Sequence, residues 1–412
     1  MTATDRLIPP QEALDIVFRE VNRRLPAEEI DLLDAPGRII AEPLVADRDL
    51  PPFPASTMDG FAVIASDVSP WREIIGDQFA GDMHDFEVTE GTCARIMTGA
   101  PVPKGADSVV PVELTELRDD HMVADEDLIV EGANIRPIGS DLREGDVLIQ
   151  AGTQLGPAEV GLLASLGHAR VKVVQRPKVS VLSTGDELVE PDQEPGPGQI
   201  RDSNRFSLKA AAEAFGCDVI FCGHGPDEED KLRTLVTDLM SRSDIVITSG
   251  GVSVGDRDLL KALFMELGDV HFQRLFMKPG KPLNFMTSGE TLVFGLPGNP
   301  VSALVGFEVF IKTAIRILSG QPDPAPRLAT VRLADEHVQS SDRIEYMRAV
   351  VTTDEQGTLW AHTNGPQQSA RLMSLVGANA LILIAPRETS YERDEVVEAI
   401  ITGQISRQDV TP

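Results

Sequence analysis

Cysteine and histidine are scarce in this sequence of 412 residues. The three cysteines, Cys93, Cys217 and Cys222, are odd in number and scattered, which argues against a disulfide framework and is typical of thiols that are kept reduced in a cytosol. The seven histidines are dispersed, and no pair has the spacing of zinc ligands. The sequence therefore predicts neither a disulfide-stapled fold nor a zinc centre.

Long apolar runs are also missing. No uninterrupted apolar segment approaches the roughly 18 residues of a transmembrane helix. The N-terminus, MTATDRLIPPQEALDIVF, has charges where a signal peptide has its apolar core. These absences predict a soluble, cytoplasmic protein that has no membrane partner.

Positive charge is in short supply. The 37 Lys and Arg residues stand against 65 Asp and Glu residues, which gives a net charge of −28. A field of this sign repels polyanions, so nucleic acid is disfavoured as a partner. Any cluster of positive side chains in such a chain is therefore informative.

The length predicts two to four domains, at about 150 residues per domain. Residues 1–43 and 140–175 are predicted to form a small connecting domain, with an amphipathic helix from Pro10 to Arg24 and a hairpin followed by a helix between Asp146 and Gly167. Residues 44–139 contain short β-like runs separated by Gly, Pro and Asp, and we expect a β-rich domain there.

Residues 176–322 alternate between strand and helix patterns. The strand candidates are VSVLS, CDVIF, DIVITS, HFQRLF and TLVFGL. The alternation predicts a doubly wound, mostly parallel sheet, with an apolar helix from Pro300 to Leu318 buried against it. Short strands return in residues 323–412, where we expect a closed or nearly closed β-domain. The fold class is accordingly α/β and multidomain.

Ligands of an open parallel sheet bind beyond the carboxyl ends of its strands, and the segments at those positions share a chemistry. Their glycines let backbone amides approach an anion, and their carboxylates suit a divalent cation held against phosphate oxygens. They read STGDEL (183–188), GHGPDEED (223–230), SGGVSVGDRD (249–258), MKPGKP (277–282) and LPGNPVS (296–302). Together they predict a Mg²⁺-assisted phosphate site.

One stretch of this acidic chain carries bases without acids. Between His271 and Gly289 there are Arg274, Lys278 and Lys281 but no acidic residue. The two lysines flank a stiff Pro-Gly step and would present two ammonium groups at a fixed separation to an oxyanion. A solvated loop after a strand is the alternative explanation.

The loop residues also have purely structural explanations. Asp227 fits a helix N-cap, and Asn299 with Pro300 fits a cap and a first helical turn. Four carboxylates fit solvated turns; these are Asp186, Glu187, Asp256 and Asp258. The glycine loop at 249–255 matches neither the dinucleotide nor the P-loop pattern. The convergence of five loops nevertheless favours a functional site.

Seven motifs in a fixed order give the chain a family resemblance. They are TMDGFAV (57–63), IMTGAPVP (96–103), STGDEL, TSGGVSVGDRD (248–258), MKPGKP, GLPGNPVS (295–302) and QQSARLMS (367–374). Through them the sequence closely resembles, over essentially its whole length, the molybdopterin molybdenumtransferases, which are the MoeA and gephyrin E-domain family of molybdenum cofactor biosynthesis. The resemblance implies an elongated, four-domain protomer that forms a homodimer, with a central domain of the molybdopterin-binding type.

The resemblance also implies a reaction. Members of the family insert molybdate into adenylylated molybdopterin, cleave its phosphoanhydride with Mg²⁺ or a similar metal, and release AMP. The molybdopterin adenylyltransferase of the preceding step and downstream molybdoenzyme maturation factors are the implied protein partners. Molybdate and tungstate are nearly equal in size and charge, so the choice between them stays open.

Site residues are carried over from the family motif by motif. The implied metal-binding and catalytic acids are Asp258, Glu187 and Asp227. Lys278 and Lys281 are the implied catalytic oxyanion ligands, and Asp59, with Thr98, matches positions that reach the cleft from the partner protomer. The implied contacts to pterin and oxyanion are Ser183, Thr184, Gly185, Asp186, Ser249, Gly250, Gly251, Ser253, Pro282, Pro297, Gly298, Asn299, Ser302, Arg348, Ser369 and Ser374.

The sequence departs from the family pattern at two positions. Residues 364–371 read NGPQQSAR where many relatives have a histidine before the glutamine, and Thr57 stands where alanine is usual. The first departure leaves open whether Ser369 or Ser374 contacts the oxyanion. Two other functions also stay open, namely a scaffold of the same fold that binds a partner's peptide and an adenylyltransferase-type nucleotide enzyme.

Overall fold

The chain is divided into two compact units. A computed structural model describes residues 6–81, 84–226, 228–251, 259–338 and 341–407. The first unit comprises Met1–Ala41, Ala151–Gly156 and Arg170–Pro412, and the second comprises Glu42–Gln150 and Pro157–Ala169. The finer division into four domains stays a prediction.

Seven α-helices lie in the described ranges. They are α1 (Pro10–Glu20), α2 (Pro157–Ser165), α3 (Asn204–Ala214), α4 (Glu229–Arg242), α5 (Leu259–Leu267), α6 (Pro300–Gly306) and α7 (Lys312–Leu318). The π-helical turn Phe307–Ile311 joins α6 to α7, so the apolar helix expected from Pro300 to Leu318 is confirmed as one continuous run. Helix α1 stops short of Arg24, because Val21 has a non-helical ψ of 78°. Within these ranges, no helix combines the length and the apolar character needed to cross a membrane.

A six-stranded sheet forms the centre of the first unit. Its strands are β1 (Lys178–Ser183), β2 (Asp218–His224), β3 (Ile245–Ser249), β4 (Asp269–Phe272), β5 (Asn284–Ser288) and β6 (Thr291–Leu296). Their order across the sheet is β2-β1-β3-β6-β5-β4. The first four strands in this order are parallel, whereas β5 and β4 are antiparallel to their neighbours. The predicted mostly parallel sheet is therefore confirmed.

Strand β5 is absent from the strands that the sequence predicts, and the interpretation of HFQRLF as one strand is wrong. The segment divides at Gln273: its first part lies in β4, and Arg274–Leu275 pairs in parallel with Leu7–Ile8. A short turn containing Gly289, with φ of +56°, joins β5 to β6. It is too short for a crossover helix, so these two strands are antiparallel.

Helices cover both faces of the central sheet. On one face, Val181, Ile247 and Phe294 belong to a core that includes residues of α3, α6 and α7. The neighbouring residues Leu182, Val246 and Val293 share a second core with residues of α4 and α5. Successive strand residues point to opposite faces, so the central strands are apolar on both sides and the sheet is doubly wound.

The last part of the chain forms a closed barrel. Its strands are β7 (Leu328–Leu333), β8 (Ile344–Thr353), β9 (Leu359–Thr363), β10 (Ala380–Ile384) and β11 (Val396–Ile401). They are ordered β8-β9-β7-β11-β10, and pairing of β10 with β8 closes the ring, as the sequence predicts. The short strand Met277–Lys278 pairs with Ile344–Glu345 at the start of β8, and Ser406–Arg407 pairs near its end.

The second unit is β-rich, as predicted. Its main sheet contains, in spatial order, Ser108–Pro111, Gly60–Val63, Thr92–Ile96, Arg72–Gln78, His121–Ala124 and Thr115–Arg118. The described residues between 44 and 139 include no α-helix. The described residues also form the strand pairs Leu44–Val45 with Val147–Ile149, Ala55–Ser56 with Ile135–Arg136, Ala27–Asp31 with Arg170–Val174, and Leu188–Val189 with Ile200–Arg201.

Candidate functional site

Backbone hydrogen bonds tie together the carboxyl ends of the parallel strands. The Gly225 amide donates to the carbonyl of Ser183 at 2.8 Å, and the Thr184 amide donates to the carbonyl of Ser249 at 3.0 Å. Gly250 continues the row by donating to the last carbonyl of β6 at 3.2 Å. Four of the five predicted loops therefore begin side by side at one edge of the sheet.

The loop that contains Lys278 and Lys281 (residues 277–282, here called the lysine loop) reaches the same edge of the sheet through the antiparallel strand β5. Asn284, the first residue of β5, pairs with Gly295 near the end of β6. The segment 277–282 lies just before this strand, so it arrives where the parallel strands end. The structure thus brings the described parts of all five loops together within one compact unit.

Two glycines let the loops after β1 and β3 approach closely. Gly250 has φ of +86°, and a Cβ there would lie 2.3 Å from the carbonyl oxygen of Thr184. A Cβ on Gly251 would lie 2.9 Å from the Thr184 Oγ1. This hydroxyl oxygen is buried and has no hydrogen-bond partner among the described residues. An unsatisfied buried hydroxyl beside glycine amides can bind a polar ligand.

The hydroxyl groups of Ser183 and Ser249 are both hydrogen-bonded to buried side chains of the protein. The Ser183 hydroxyl donates to the Asp202 carboxylate. The amide nitrogen of Asn204 donates to the Ser249 hydroxyl at 2.7 Å and to the carbonyl of Gly298 at 2.8 Å. These contacts join the β3 and β6 loops to the start of α3.

Sequence reasoning missed Asp202 and Asn204. Both are nearly buried, and they belong to RDSN, a polar run immediately before the helix α3. Such a run resembles an ordinary helix start. Its position after the pair Leu188–Val189 and Ile200–Arg201 is the signal that could have placed it at the sheet edge.

The described acids of the site are exposed. Asp186 and Glu187 both face solvent, and the Glu187 carboxylate folds back so that a Cβ on Gly185 would lie 2.5 Å from its Oε2. The Nε2–H of His224 donates to the carbonyl of Gly185 at 3.1 Å. Three predicted site residues, Asp227, Ser253 and Asp258, lie outside the described residues, as does Asp256. Within the described ranges, no three His, Cys, Asp or Glu residues form a metal-binding group.

An acid from the barrel meets the lysine loop. The Lys278 Nζ lies 2.9 Å from Oε1 of Glu345, whose side chain is 4% exposed. His337 lies on the other side of this carboxylate, with its Nε2 3.7 Å from Oε2. The Lys281 ammonium makes no hydrogen bond or ion pair with the described residues. The charge of Lys278 is therefore balanced by Glu345, although the sequence around Lys278 contains no acid. Lys281 is the lysine that stays available to an anion.

The barrel also contributes a segment to the start of α6. Asn299 is the N-cap of α6 and follows Pro297 and Gly298, and Ser302 is buried in the first turn. The Val301 amide donates to the carbonyl of Ser369 at 3.2 Å. The predicted QQSARLMS and PGNPVS motifs are thus in direct contact.

Arg348 organises this barrel segment from within. Its side chain is fully enclosed, its Nε donates to the Ser374 Oγ at 3.0 Å, and its Nη2 donates to the carbonyl of Gln368 at 3.3 Å. Burial lowers the pKa of Arg348 to about 10, so the guanidinium stays charged at neutral pH. Ser374 is buried and also donates to the carbonyl of Arg371 at 2.8 Å. Ser369 is half-buried, and its hydroxyl has no hydrogen bond with the described residues.

Two predicted residues of the second unit meet each other. Oδ1 of Asp59 accepts from the Thr98 amide at 2.7 Å and from the Thr98 hydroxyl at 2.8 Å. Both residues are exposed. The hydrogen bonds from Thr98 hold the pKa of Asp59 below its ordinary value, because they stabilise the charged carboxylate.

Thr98→Val is expected to raise the pKa of Asp59 toward its ordinary value, since one of these two donors is lost. The backbone amide still donates, so the rise is partial. Carboxyl ¹³C chemical shifts followed against pH measure the change. Asp47, whose pKa is lowered mainly by Arg48, is the internal control and keeps its titration. An unaltered Asp59 titration would show that the hydroxyl does not stabilise the carboxylate.

Comparisons with known proteins agree with this arrangement. Three family models match consecutive parts of the chain: "MoeA N-terminal region (domain I and II)" at residues 8–167, "Probable molybdopterin binding domain" at 180–317 and "MoeA C-terminal region (domain IV)" at 330–402. Together these models span most of the chain in the order in which the family has them.

Similar sequences and structures extend over nearly the whole chain. The molybdopterin molybdenumtransferase of Haemophilus influenzae is 38% identical, with 90% of this chain and 92% of that protein covered. That of Bacillus subtilis is 35% identical, with 96% and 94% covered. The crystal structure of the molybdopterin biosynthesis MoeA protein from Pyrococcus horikoshii OT3 has a TM-score of 0.83 at 28% identity, covering 96% of this chain and 100% of that one. The chain therefore belongs to the MoeA family of molybdopterin molybdenumtransferases.

Proposed function

We propose that this protein is a molybdopterin molybdenumtransferase, which inserts molybdate into adenylylated molybdopterin and releases AMP. The convergence of five glycine- and charge-bearing loops at the carboxyl edge of the central sheet carries the proposal. The names of the H. influenzae and B. subtilis relatives support the same activity. The three free cysteines agree with action in the cytoplasm.

Molybdate is a small dianion, and donors that keep their protons suit it. Among the described residues, the Lys281 ammonium and the Ser369 hydroxyl have no partner. Ser302 lies in the first turn of α6, and the Val301 amide of the same turn donates to the carbonyl of Ser369. Ser374 is already bound to Arg348. We therefore assign the direct serine contact to Ser369, and we assign Ser374 and Arg348 to holding the segment that carries it. Lys278, which is paired with Glu345, contributes the second ammonium group of the proposed molybdate pocket.

The acidic loop residues suit Mg²⁺. Glu187 is exposed, and the nearby Thr184 hydroxyl lacks a partner among the described residues. Oxygen ligands of this kind are those that Mg²⁺ takes. Glu187, with Asp227 and Asp258 from the family motif, would hold the ion. A bound ion would offset the negative charge of the AMP phosphate as that group departs. The amides of Gly250 and Gly251 would orient the pyrophosphate.

The proposal includes a homodimer whose partner supplies Asp59 and Thr98 to the site. Asp59 suits such a position because its hydrogen bonds with Thr98 keep it ionised and fix its orientation. The molybdopterin adenylyltransferase and molybdoenzyme maturation factors are the proposed protein partners, since they would supply the substrate and receive the product.

One assay tests the proposed function against its alternatives. The protein is incubated with adenylylated molybdopterin, Mg²⁺ and molybdate, and AMP is measured over time. AMP release that needs both molybdate and the divalent ion supports the transferase. In the same assay with molybdopterin and ATP in place of the adenylylated substrate, formation of adenylylated molybdopterin with release of pyrophosphate would instead indicate an adenylyltransferase. Absence of any turnover would contradict both enzymes and leave the scaffold.

Replacing both Lys278 and Lys281 by alanine is expected to raise the molybdate concentration needed for half-maximal AMP release by roughly tenfold or more, because two positive charges leave the oxyanion pocket. Molybdate saturation curves measure this. The matched control replaces Lys209 and Lys231, two solvent-exposed lysines of α3 and α4, and leaves the curve unchanged. Equal molybdate dependence in the two double variants would contradict the pocket.

A further inference from the structure

A polar cleft of about 390 Å³ lies at the opposite edge of the central sheet from the candidate site. Its lining includes Arg176 and Pro177, directly before β1, and Gly216, two residues before β2. Strand β1 has six residues, and at about 3.3 Å per residue it separates the cleft from Ser183 by roughly 17 Å. The cleft is thus a second location, on the amino side of the strands.

Arginine dominates the charge of this cleft. Arg38, Arg176, Arg316 and Arg327 line it, and Glu213 is the only acid among its described lining residues. Glu213 is itself paired with Lys209 at 2.5 Å. In a chain whose net charge is −28, this concentration of positive charge runs against the overall composition.

Two of the arginines already form hydrogen bonds within the protein. Arg38 bonds to Glu28 at 2.5 Å and to the carbonyl of Val174 at 3.0 Å. Arg316 is nearly buried, donates to the carbonyl of Ala325 at 2.9 Å, and lies over the Phe215 ring. These contacts fix the walls of the cleft.

The other two arginines have no such role. Arg176 and Arg327 are exposed, and neither side chain has a hydrogen bond or ion pair with the described residues. Arg327 also adds to the effect of burial in lowering the pKa of Arg316, as expected of like charges that lie close together. An anion bound beside Arg327 would relieve its repulsion with Arg316.

Helix capping does not explain the unpaired arginines. The helices α3 and α7 both end at this cleft, and arginines often bind the last carbonyls of a helix. Here the chain's own amides already bind several of them. Phe215, Gly216 and Cys217 donate to the last turn of α3 at 3.0 to 3.1 Å, and Ser319 and Gly320 donate to that of α7 at 2.9 and 2.8 Å.

We propose that this cleft binds a small organic phosphate, with Arg176 and Arg327 as its principal ligands. Guanidinium groups match phosphate oxygens in a bidentate geometry. The volume lies within the range of about 300–1,000 Å³ that small-molecule sites have, so a carbon skeleton fits with the phosphate. Gln154, Gln175 and Gln321 also line the cleft, and glutamine side chains carry neutral donors and acceptors for hydroxyl groups; the amide nitrogen of Gln154 already donates to the carbonyl of Gly37 at 3.2 Å.

Ribose 5-phosphate and inorganic phosphate serve as the two probes, and calorimetric titration measures their affinities. We expect ribose 5-phosphate to bind more tightly than phosphate. Arg176→Gln combined with Arg327→Gln should weaken its binding by at least about tenfold, because two charge-assisted contacts are lost. The control, Arg48→Gln with Lys231→Gln, removes two charges from exposed residues outside the cleft lining and should leave the affinity unchanged.

The lysine double variant of the candidate site separates the two locations. Ribose 5-phosphate should bind to it as to the wild type, whereas loss of binding there but not in the arginine variant would overturn the proposal. Absence of binding, or equal affinity for both probes, would likewise overturn it. Phenylglyoxal labelling of arginines in the wild-type protein gives a second measurement, which does not depend on whether the glutamine variants fold. Ribose 5-phosphate should slow the labelling of Arg176 and Arg327, and unchanged labelling rates would contradict the site.

Discussion

Gly250→Ala is expected to lower the free energy of unfolding of the unit that contains the central sheet by about 3 kcal/mol. Gly250 has φ of +86°, a conformation that costs a side-chain-bearing residue about 1–2 kcal/mol. A Cβ would also lie 2.3 Å from the Thr184 carbonyl oxygen, and relieving such overpacking costs roughly 1–3 kcal/mol more. Denaturant unfolding of the variant and the wild type measures the difference.

Gly357→Ala is the matched control for this prediction. Gly357 has φ of +82°, but a Cβ there meets nothing within 4 Å. In the control, only the unfavourable backbone conformation contributes, so its free energy of unfolding should fall by about 1 kcal/mol. The Gly250 variant should in addition lose AMP release, because the loops after β1 and β3 must separate. Equal losses of stability in the two variants would show that the close approach of these loops does not add to the cost of a side chain at position 250.

The parts of the fold that the sequence predicts are those with a local pattern. The strands β1, β3 and β6 are buried on both faces, so they read as short β-branched and apolar runs. In the barrel, β7 alternates between buried and less buried positions, whereas β8 and β10 are buried along most of their length and read as apolar runs. In both regions the residues that form a strand carry its signal themselves.

Strand β5 lacks such a signal because its place depends on a distant partner. Its sequence, NFMTS, has one β-branched residue, and its identity as a strand comes from pairing with β6. Buried Phe285 stacks on Phe294 across this pair, with ring centroids 4.8 Å apart. The motif MKPGKP could be recognised as a basic loop, but its position at the carboxyl edge of the sheet follows only from this antiparallel pairing.

The contact between Lys278 and Glu345 was unpredictable for a similar reason. The two residues are 67 positions apart, and they meet because Met277–Lys278 pairs with the first residues of β8. A count of charges along the chain identifies a stretch without acids, yet it says nothing about an acid that another domain supplies. The basic segment was thus recognisable from composition, whereas its electrostatic partner depended on the fold.

Arg348→Ala is expected to destabilise the first unit by about 3 kcal/mol, because it empties the space of a buried side chain and leaves buried acceptors without their charged donor. The guanidinium donates to the Ser374 hydroxyl at 3.0 Å and to the Gln368 carbonyl at 3.3 Å. Both acceptors belong to the segment whose Ser369 carbonyl binds the start of α6. Denaturant unfolding measures the stability, and hydrogen exchange of residues 364–374 reports whether the segment loosens.

Arg332→Ala provides the matched control from the same barrel. Arg332 is 44% exposed and bonds to Asp394 at 3.1 to 3.3 Å, so its loss should change stability by less than about 0.5 kcal/mol. Arg348→Lys keeps the charge but not the planar fork, and we expect it to recover only part of the stability. If Arg348→Ala instead raised the molybdate requirement while stability and hydrogen exchange stayed at wild-type values, Arg348 would be a direct oxyanion ligand rather than the residue that holds this segment against α6.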